Sequence, residues 1–540
     1  MKRNKNVLVL ISIVAILSLF SIGGCDGNNT RGLPIPDAIL EVMQRPRYAD
    51  AAWCLRVIDF ETGEVIYDLN PNLLAFTGSV RKTYSVGLAL NELGADHRFK
   101  TPVYRQGDVD GSGVLTGDLI LVAAGDLTMG GRNTPQGTVA FTSFDHTEAN
   151  SLGSAILTEP DPLLGIDELA ARVAASGIKT VEGDVVVDDR LFDLFRVPNG
   201  NVLITPIIIN DNLVDVTIIP TEPGQPAVVE WRPKSAAFDV ESNVITAPEG
   251  GELDITLTGD IPGCIGSPGC KGTVEGQIPA GFEPALPGVE TLVQTFSIED
   301  PASYARIVFI EALEKAGVEV TADTVAPNPA GKLPPRNSYT EDSKVAEFVS
   351  LPYSEYSKLI LKVSHNLGAN LSLMLFGLTQ GVRTIDDALA AERETLVDDF
   401  GIKGSDFNFP TNGSGSPDSQ AAPSATVKLL KGMGDREVFP SYFDSFPILG
   451  VDGSLAAVGV DPPNPVIAPA IGKVFAKTGT TILGGFFKAQ VFAGYIDAKS
   501  GRRLVYALYV NDIGPLQSIA EAIEVFNDEG EISAIIYDLN

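Results

Sequence analysis

The spacing of hydrophobic residues changes along the chain, and each change predicts a different kind of structure. Ala51–Phe60 is a short apolar run that predicts a strand, and a polar turn at residues 61–64 leads to a returning strand from Val65. The segment Ser79–Leu93 then carries a cluster of apolar residues in its second half. This pattern predicts a helix whose second half is buried in a core.

Residues 99–345 have a different character. They are rich in Gly, Pro, Val and Ile, and their apolar runs are short, which is typical of strands joined by turns. Helical periodicity returns from Ser343, and Gly472–Thr480 predicts a strand nearer the C-terminal end. The pattern as a whole therefore predicts a mixed α/β protein with a long, mostly β segment in its middle.

The N-terminal residues predict a targeting segment. A basic start precedes an apolar stretch at 7–20, and residues 21–25 resemble a bacterial lipobox. We expect a lipoprotein signal peptide over residues 1–24, lipid attached to Cys25, and a linker over 25–35. A plain signal peptide and an uncleaved membrane anchor are the alternatives, because the apolar stretch is nearly long enough to span a bilayer.

The charge of the 540-residue chain is strongly acidic, since 39 Lys and Arg face 69 Asp and Glu, for a formal net charge of −30. Phosphate backbones bind to basic surfaces, so we expect no nucleic-acid partner. The chain has three histidines, at positions 97, 146 and 365, and no metalloprotease or nucleotide-binding motif. We therefore expect no metal and no cofactor.

Two of the cysteines are close enough in the sequence to form a disulfide. Cys264 and Cys270 flank a short loop rich in Gly and Pro, and outside the cytoplasm a disulfide between them is expected. A metal site there would need ligand partners that the neighbouring sequence lacks. Cys54 lies in the first apolar run, where a buried core thiol is the simpler interpretation.

Ser79 and Lys82 carry the first candidate chemistry. They stand three residues apart at the start of a predicted helix, so they share one face. A serine hydroxyl is a weak nucleophile until a base takes its proton, and a lysine becomes that base when burial or a nearby cation lowers its pKa. This pair often occurs by chance, and an ordinary helix with a serine at its start is the alternative.

Two further motifs follow in the sequence. Ser364-His365-Asn366 lies between two predicted helices, and Lys477-Thr478-Gly479-Thr480 lies in a predicted strand. Each alone also fits a structural explanation, namely a capping serine between helices and a strand that ends at a turn glycine. The three motifs together, in this order and on these predicted elements, make coincidence a poor explanation.

The three motifs resemble the active site of penicillin-recognising serine enzymes. The long stretch between Ser79 and Ser364 is similar to that of the type C low-molecular-mass penicillin-binding proteins, the D-alanyl-D-alanine carboxypeptidase/endopeptidase family. Four other stretches also resemble this family: GDLTM at 125–129, GDVVVDDRLF at 183–192, FPILGVDGSL at 446–455 and GKVFAKTGT at 472–480. The resemblance runs from about residue 50 to residue 511.

The resemblance implies the fold class. We expect an α/β (α+β) penicillin-binding/serine β-lactamase-like transpeptidase domain with helices on an antiparallel sheet, formed by residues 36–98 and 346–540. Residues 99–345 are expected to form large, mostly β inserted domains, two in number, with one nested in the other. The expected location is extracytoplasmic and membrane-anchored, on the periplasmic side in a Gram-negative cell.

The resemblance also implies a substrate and a reaction. Ser79 would attack the penultimate D-Ala of a peptidoglycan stem peptide that ends in D-Ala-D-Ala, with Lys82 as the base. This gives a carboxypeptidase, with endopeptidase action as a further expectation and β-lactams as inhibitors. The sequence shows no glutamate placed to activate the deacylating water, as class A β-lactamases do, so we expect a long-lived penicillin adduct.

The remaining motif residues receive supporting roles from the resemblance. Ser364 would relay a proton to the leaving amine, and Asn366 would hold Lys82 and the substrate amide. His365 is expected to be a spacer. Lys477 would supply positive potential, and the substrate carboxylate would bind at Thr478, Gly479 and Thr480.

Two stretches depart from the family pattern. Residues 412–416 read Asn-Gly-Ser-Gly-Ser where the family has Asp-Gly-Ser-Gly-Leu, and residues 481–485 are also unusual. These changes leave the three motifs intact but affect the expected shape of the substrate pocket. Two other functions therefore stay open: a β-lactamase-like hydrolase, and a catalytically weak lipoprotein that acts as a cell-wall scaffold.

Overall fold

The computed structural model describes residues 32–259, 269–284, 286 and 288–540. The helices in this part are α1 (Asp37–Met43), α2 (Lys82–Leu93), α3 (Ala149–Leu152), α4 (Leu164–Ala175), α5 (Pro301–Lys315), α6 (Tyr353–Val363), α7 (Asn366–Thr379), α8 (Ile385–Asp398), α9 (Pro423–Gly434), α10 (Phe439–Asp444) and α11 (Ile519–Leu539). The predicted signal peptide, Cys25 and Cys264 lie outside the described residues.

The strands are β1 (Ala52–Asp59), β2 (Val65–Leu69), β3 (Ala75–Phe76), β4 (Arg98–Val109), β5 (Val114–Val122), β6 (Thr180–Val181), β7 (Val185–Asp188), β8 (Phe195–Arg196), β9 (Leu203–Ile204), β10 (Leu213–Ile219), β11 (Val228–Arg232), β12 (Phe238–Ala247), β13 (Asp254–Gly259), β14 (Cys270–Pro279), β15 (Leu292–Ser297), β16 (Glu319–Val320), β17 (Lys344–Pro352), β18 (Phe407–Asn408), β19 (Gln420–Ala421), β20 (Val474–Leu483), β21 (Phe486–Asp497) and β22 (Arg503–Pro515).

A five-stranded antiparallel sheet joins the two ends of the described chain in the order β2-β1-β22-β21-β20. Neighbouring side chains of a strand point to opposite faces, and β22 shows this clearly. Val505 and Ala507 belong to the core on one face, whereas Leu504 and Leu508 belong to the core on the other. Both faces of the sheet are therefore covered, as an apolar strand without polar alternation requires.

Helices cover the two faces. Side chains of α2, α7 and α9 form the core with one face of the sheet, and side chains of α1 and α11 form the core with the other. α7 is apolar around most of its circumference and is almost wholly buried, and it packs against α2. This packing brings the first residue of α7, Asn366, beside the start of α2. The predicted arrangement of helices on an antiparallel sheet is confirmed.

The middle of the chain forms further sheets. One has the order β16-β6-β5-β4-β17, with β7 also paired to β5, and α4 and α5 pack on it. Two three-stranded sheets, β11-β10-β15 and β12-β14-β13, come from residues 213–297, which lie between parts of the larger sheet in the sequence. Strand β17 pairs with β4 and continues to Pro352, past the predicted limit of the insertion at residue 345.

Two cysteines, Cys54 and Cys270, lie among the described residues. Cys54 lies fully buried in β1 as a free thiol, which confirms the interpretation as a core residue. Cys270 is the first residue of β14, but its predicted partner Cys264 is outside the described residues, so this disulfide stays a prediction. Among the described residues, no helix has the length and apolar character needed to cross a bilayer.

The predicted helix from Ser79 begins differently from the expectation. Gly78–Arg81 forms a 3₁₀ turn and the α-helix starts only at Lys82. Arg81, at the end of this turn, is fully buried, and its guanidinium donates two hydrogen bonds to the Glu392 carboxylate at 2.8 and 2.5 Å. The same guanidinium lies over the ring of Phe409, 4.1 Å from its centroid. The turn that carries Ser79 is thus fixed to α8 by a buried ion pair.

We predict that Glu392→Ala lowers the free energy of unfolding by about 3–5 kcal/mol, because it leaves the buried Arg81 guanidinium without its counter-charge. Equilibrium unfolding in urea measures the change. Glu394→Ala is the matched control, since Glu394 is exposed on the same helix and its loss should change stability by less than about 0.5 kcal/mol. A loss below about 1 kcal/mol in Glu392→Ala, the range of exposed ion pairs, would contradict the prediction.

Candidate active site

The amine of Lys82 is the point where the separate motifs meet. Its Nζ lies 2.6 Å from Ser79 Oγ, 2.7 Å from Asn366 Oδ1 and 3.0 Å from the carbonyl oxygen of Ser414. Lys82 is fully buried, whereas Ser79 is half-buried and so stays accessible from one side. The structure therefore brings the first two predicted motifs together around one amine.

Two glycines, Gly78 and Gly479, allow the third motif on β20 to approach the Ser79 turn. A Cβ built on Gly78, where φ is +46°, would lie 2.5 Å from the backbone nitrogen of Thr480. A Cβ built on Gly479 would lie 2.2 Å from the Thr77 carbonyl oxygen and 2.9 Å from the Ser79 nitrogen. Such distances leave no room for a side chain, so the backbone of β20 touches the backbone of the serine turn only because both positions are glycine.

The Ser364-His365-Asn366 motif forms the link between α6 and α7. Ser364 ends α6 in the left-handed region, with φ 64° and ψ 36°, a strained conformation of the kind found at functional sites. His365 caps α7 by accepting a hydrogen bond from the backbone N–H of Gly368, so it is more than a spacer. Asn366 then starts α7 and reaches Lys82. Among the described residues, none is hydrogen-bonded to the Ser364 hydroxyl, which leaves this hydroxyl available.

The strand that carries Lys477 forms the edge of the five-stranded sheet. Lys477 is fully buried, and its Nζ donates to the carbonyl oxygen of Thr478 at 2.8 Å. The hydroxyl of Thr478 is hydrogen-bonded to Ser454, and that of Thr480 donates to Gln490 Oε1 at 2.7 Å. The side chains of the motif are thus held in place, and the edge strand leaves one backbone face of β20 unpaired with another strand.

Burial sets the electrostatics of the two lysines. Burial lowers the pKa of Lys82 to about 7, helped by the nearby Arg81 cation, while the Glu148 carboxylate acts in the opposite direction. Burial, with the neighbouring Lys82, also lowers the pKa of Lys477 well below its usual range. Lys82 can therefore be a neutral amine near neutral pH, which is the form that accepts a proton.

The altered loop at residues 412–416 forms one wall of the site. Asn412 Oδ1 accepts hydrogen bonds from the backbone N–H groups of Ser414 and Gly415 at 2.8 and 2.7 Å, as an aspartate at this position would also do. These bonds turn the Ser414 carbonyl toward Lys82. Ser416 donates to the carbonyl oxygen of Thr480, so the loop also touches β20. The Asn in place of Asp therefore preserves the loop.

Sequence reasoning missed two side chains that enter the site from the middle of the chain, and one of them is a glutamate, where we expected none. Asn366 Nδ2 donates to Glu148 Oε1 at 2.9 Å, and Asn199 Nδ2 lies 2.9 Å from Ser414 Oγ and 3.2 Å from Asn366 Oδ1. The pattern Asp-x-x-Glu at 145–148 marks the start of a helical turn, which was the one available signal. It says nothing about which side of the molecule Glu148 reaches.

The arrangement can perform acyl transfer. A serine hydroxyl lies within hydrogen-bond distance of a buried amine, an amide orients that amine, and two backbone segments cross beside the serine. Within residues 32–259, 269–284, 286 and 288–540, no group of His, Cys, Asp and Glu side chains is arranged to hold a metal ion.

Comparison of the whole sequence with known proteins identifies a matching peptidase family and related enzymes. The sequence model of the Peptidase S13 family, described as the D-Ala-D-Ala carboxypeptidase 3 (S13) family, matches residues 36–529. The chain is 26% identical over 529 residues to the D-alanyl-D-alanine carboxypeptidase of Actinomadura sp. (strain R39), which covers 93% of this chain and 85% of that protein. It is 20% identical to the D-alanyl-D-alanine carboxypeptidase DacB of Haemophilus influenzae, over 84% of this chain and 85% of that protein.

Solved structures show the same fold. The crystal structure of penicillin binding protein 4 (dacB) from Haemophilus influenzae superimposes with a TM-score of 0.67 at 18% sequence identity, and the match covers 93% of this chain and 99% of that one. At this identity the likeness supports the fold, and the family rests on the match along nearly the whole sequence. The chain belongs to the S13 peptidases, the D-Ala-D-Ala carboxypeptidase 3 family, as the three motifs predict.

Proposed function

We propose that this chain is a serine-type D-Ala-D-Ala carboxypeptidase that cleaves peptidoglycan stem peptides through an acyl-serine intermediate. The observation that carries the proposal is the 2.6 Å contact between Ser79 Oγ and the buried amine of Lys82, in a chain of the S13 family. A buried amine with a lowered pKa beside a serine is the arrangement that activates this weak nucleophile. The amine and the hydroxyl therefore define where the reaction takes place.

In the first half-reaction, Ser79 Oγ attacks the carbonyl carbon of the penultimate D-Ala as its proton passes to Lys82. The carbon–nitrogen bond then breaks, and the leaving D-Ala amine takes a proton that Lys82 returns by way of the Ser364 hydroxyl. Asn366 orients Lys82 through its Oδ1 and is placed to meet the substrate amide. In the second half-reaction, water hydrolyses the acyl-serine and restores the free hydroxyl.

The backbone around Ser79 would stabilise the transition state. The N–H groups of Ser79 and Thr480 are brought close by the two glycines, and we assign them as the oxyanion hole. One such donor is worth about 3 kcal/mol of transition-state stabilisation. The terminal carboxylate of the substrate would bind along β20 at Thr478, Gly479 and Thr480, where a bound anion would favour the charged form of Lys477.

β-Lactams would act as inhibitors by acylating the same serine, since their strained amide takes the place of the peptide bond. This part of the proposal is supported by the motifs and by the fold, which is shared with penicillin binding protein 4 of Haemophilus influenzae. A cell-wall peptidase of this family acts outside the cytoplasm. We further propose anchoring to the membrane through a lipid on Cys25, supported by the basic start, the apolar stretch and the lipobox-like residues 21–25.

The domain limits are also part of the proposal. Residues 36–98 and 346–540 would form the catalytic domain, and residues 99–345 would form two inserted, mostly β domains with one nested in the other. The support is the strand order, which puts residues 213–297 between parts of the six-stranded sheet. The pairing of β17 with β4 argues for a limit nearer to residue 352.

We predict that the purified full-length chain forms a covalent adduct with a fluorescent penicillin and that Ser79→Ala forms none, because the attacking oxygen is lost. Labelling followed by gel fluorescence measures the adduct. Ser85→Ala is the control, since Ser85 is a buried serine of α2, the helix that follows the Ser79 turn, and its hydroxyl donates to the Gly413 carbonyl and takes no part in the reaction. A folded wild-type chain that never labels would remove this function and favour the scaffold alternative.

The acylation rate should rise with pH through about 7, because burial lowers the pKa of Lys82 to about 7 and only the neutral amine accepts the serine proton. Initial rates of penicillin labelling across neutral pH measure this. Circular dichroism at each pH shows whether the chain stays folded. A rate that is constant, or that falls as the pH rises through this range, would argue against Lys82 as the base.

If Cys25 is lipidated, cells that express the wild-type chain should incorporate radiolabelled palmitate into it and Cys25→Ala should show no incorporation. Cys54→Ala is the control, because Cys54 is a buried thiol of the folded core. Fractionation into membrane and soluble parts gives a second measurement, with Cys25→Ala expected to leave the membrane fraction. Equal palmitate incorporation in both chains would contradict the lipoprotein assignment.

A further inference from the structure

A carboxylate stands in the site that the reaction so far does not use. Glu148 Oε1 accepts a hydrogen bond from Asn366 Nδ2, while Oδ1 of the same amide faces the Lys82 amine at 2.7 Å. One side chain therefore separates Glu148 from the base that activates Ser79. Among the described residues no donor is hydrogen-bonded to its second oxygen, Oε2, which leaves this oxygen able to accept from a water molecule or a substrate.

The position of Glu148 is built into the fold. It ends the short 3₁₀ turn His146–Glu148, and Asp145 caps this turn by accepting a hydrogen bond from the backbone N–H of Thr147 at 3.1 Å. Arg132 then holds Asp145 with two hydrogen bonds at 2.7 and 3.0 Å, and all of these anchoring side chains are buried. A turn fixed in this way positions its last side chain reproducibly.

The buried side chains that hold this turn are also connected to the Ser364-His365-Asn366 motif. Asp211 accepts from Arg132 and contacts the ring of His146 at 2.7 Å, and it lies 3.1 Å from Nε2 of His365. Burial alone would lower the pKa of His146, but the Asp215 and Asp211 carboxylates raise it to about 10, so its imidazolium balances charge in this buried cluster. Because His365 directly precedes Asn366, one network of charges positions both Glu148 and the amide that it meets.

We propose that Glu148 is a further catalytic residue, the general base that takes a proton from the water that hydrolyses the acyl-serine. This inference rests on the acyl-enzyme route proposed above. The water oxygen bonds to the acyl carbonyl carbon while one water proton moves to the Glu148 carboxylate. The tetrahedral intermediate then collapses, the bond between carbon and Ser79 Oγ breaks, and Oγ takes up a proton from the Lys82 amine, which regains one from Glu148 through a bridging water.

A second base fits the chemistry of the site. The Lys82 amine is aimed at Ser79 Oγ, the atom that it must deprotonate in acylation and reprotonate when the acyl group leaves. A carboxylate on the far side of Asn366 can receive the water proton without displacing that contact. Burial raises the pKa of Glu148 above its usual range, against the effect of Lys82, which brings the carboxylate closer to the optimum for a general base near neutral pH.

Glu148→Gln tests the inference, because glutamine keeps the shape and the acceptor for Asn366 but does not take a proton. The full-length wild-type and variant chains are pulsed with a fluorescent penicillin and chased with excess unlabelled penicillin, which separates the rate of adduct formation from the rate of release. The measurements are made at about pH 8.5, where Lys82 is neutral with or without the nearby carboxylate.

The expected result is that Glu148→Gln labels at a rate within about twofold of wild type but releases the label about 10²-fold more slowly, the usual contribution of a general base. The wild-type release rate should also fall as the pH is lowered through the pKa of Glu148, and the variant should lose this dependence. Glu159→Gln is the matched control, since Glu159 is an exposed glutamate of the same segment. Thermal melting checks that all chains are folded.

Two outcomes would overturn the inference. Equal release rates for wild type and Glu148→Gln would show that another group activates the water. Labelling that is slowed as much as release would show that Glu148 positions Asn366, Lys82 or the substrate and is no base. Both outcomes differ from failure of the proposed function itself, in which the wild-type chain would not label at all.

Discussion

A lysine amine that is wholly removed from water is the constraint on which this active site depends. Burial disfavours the charged ammonium and so supplies the neutral base that a serine nucleophile needs, but a buried polar group also needs partners. Lys82 finds them on three separate segments: the Ser79 turn, the first residue of α7 and the carbonyl of Ser414. These segments are distant in sequence, so the rest of the fold has to hold them to within a few tenths of an ångström.

Several parts of the structure serve this requirement. The buried ion pair between Arg81 and Glu392 ties the serine turn to α8, and the almost wholly buried α7 packs on α2 beside it. Asn412 shapes its loop by accepting two backbone hydrogen bonds, which turns the Ser414 carbonyl toward the amine. Gly78 and Gly479 let the edge strand of the sheet approach the turn at backbone distance. The site is therefore assembled from rigid elements, which is what precise orientation of reacting groups requires.

The long middle segment contributes directly to the site. Glu148 and Asn199 belong to it, and both make hydrogen bonds with Asn366 or with the 412–416 loop. A buried cluster of Arg132, Asp145, His146 and Asp211 reaches from this segment to His365, next to Asn366. The middle segment thus forms its own sheets and also supplies polar atoms that contact Asn366 directly.

The sequence alone determined the three motifs, the order of their elements and the α/β class, because these depend on short spacings and on local hydrophobic periods that can be read directly. It also predicted that Ser79 and Lys82 share one face, although the helix begins three residues later than expected, after a 3₁₀ turn. What only the tertiary structure decided is which distant groups meet. Nothing in the local sequence of Glu148 or Asn199 distinguishes them from surface residues. Contacts between segments more than a hundred residues apart are set by packing and by buried charge networks, which leave no periodic trace in the sequence.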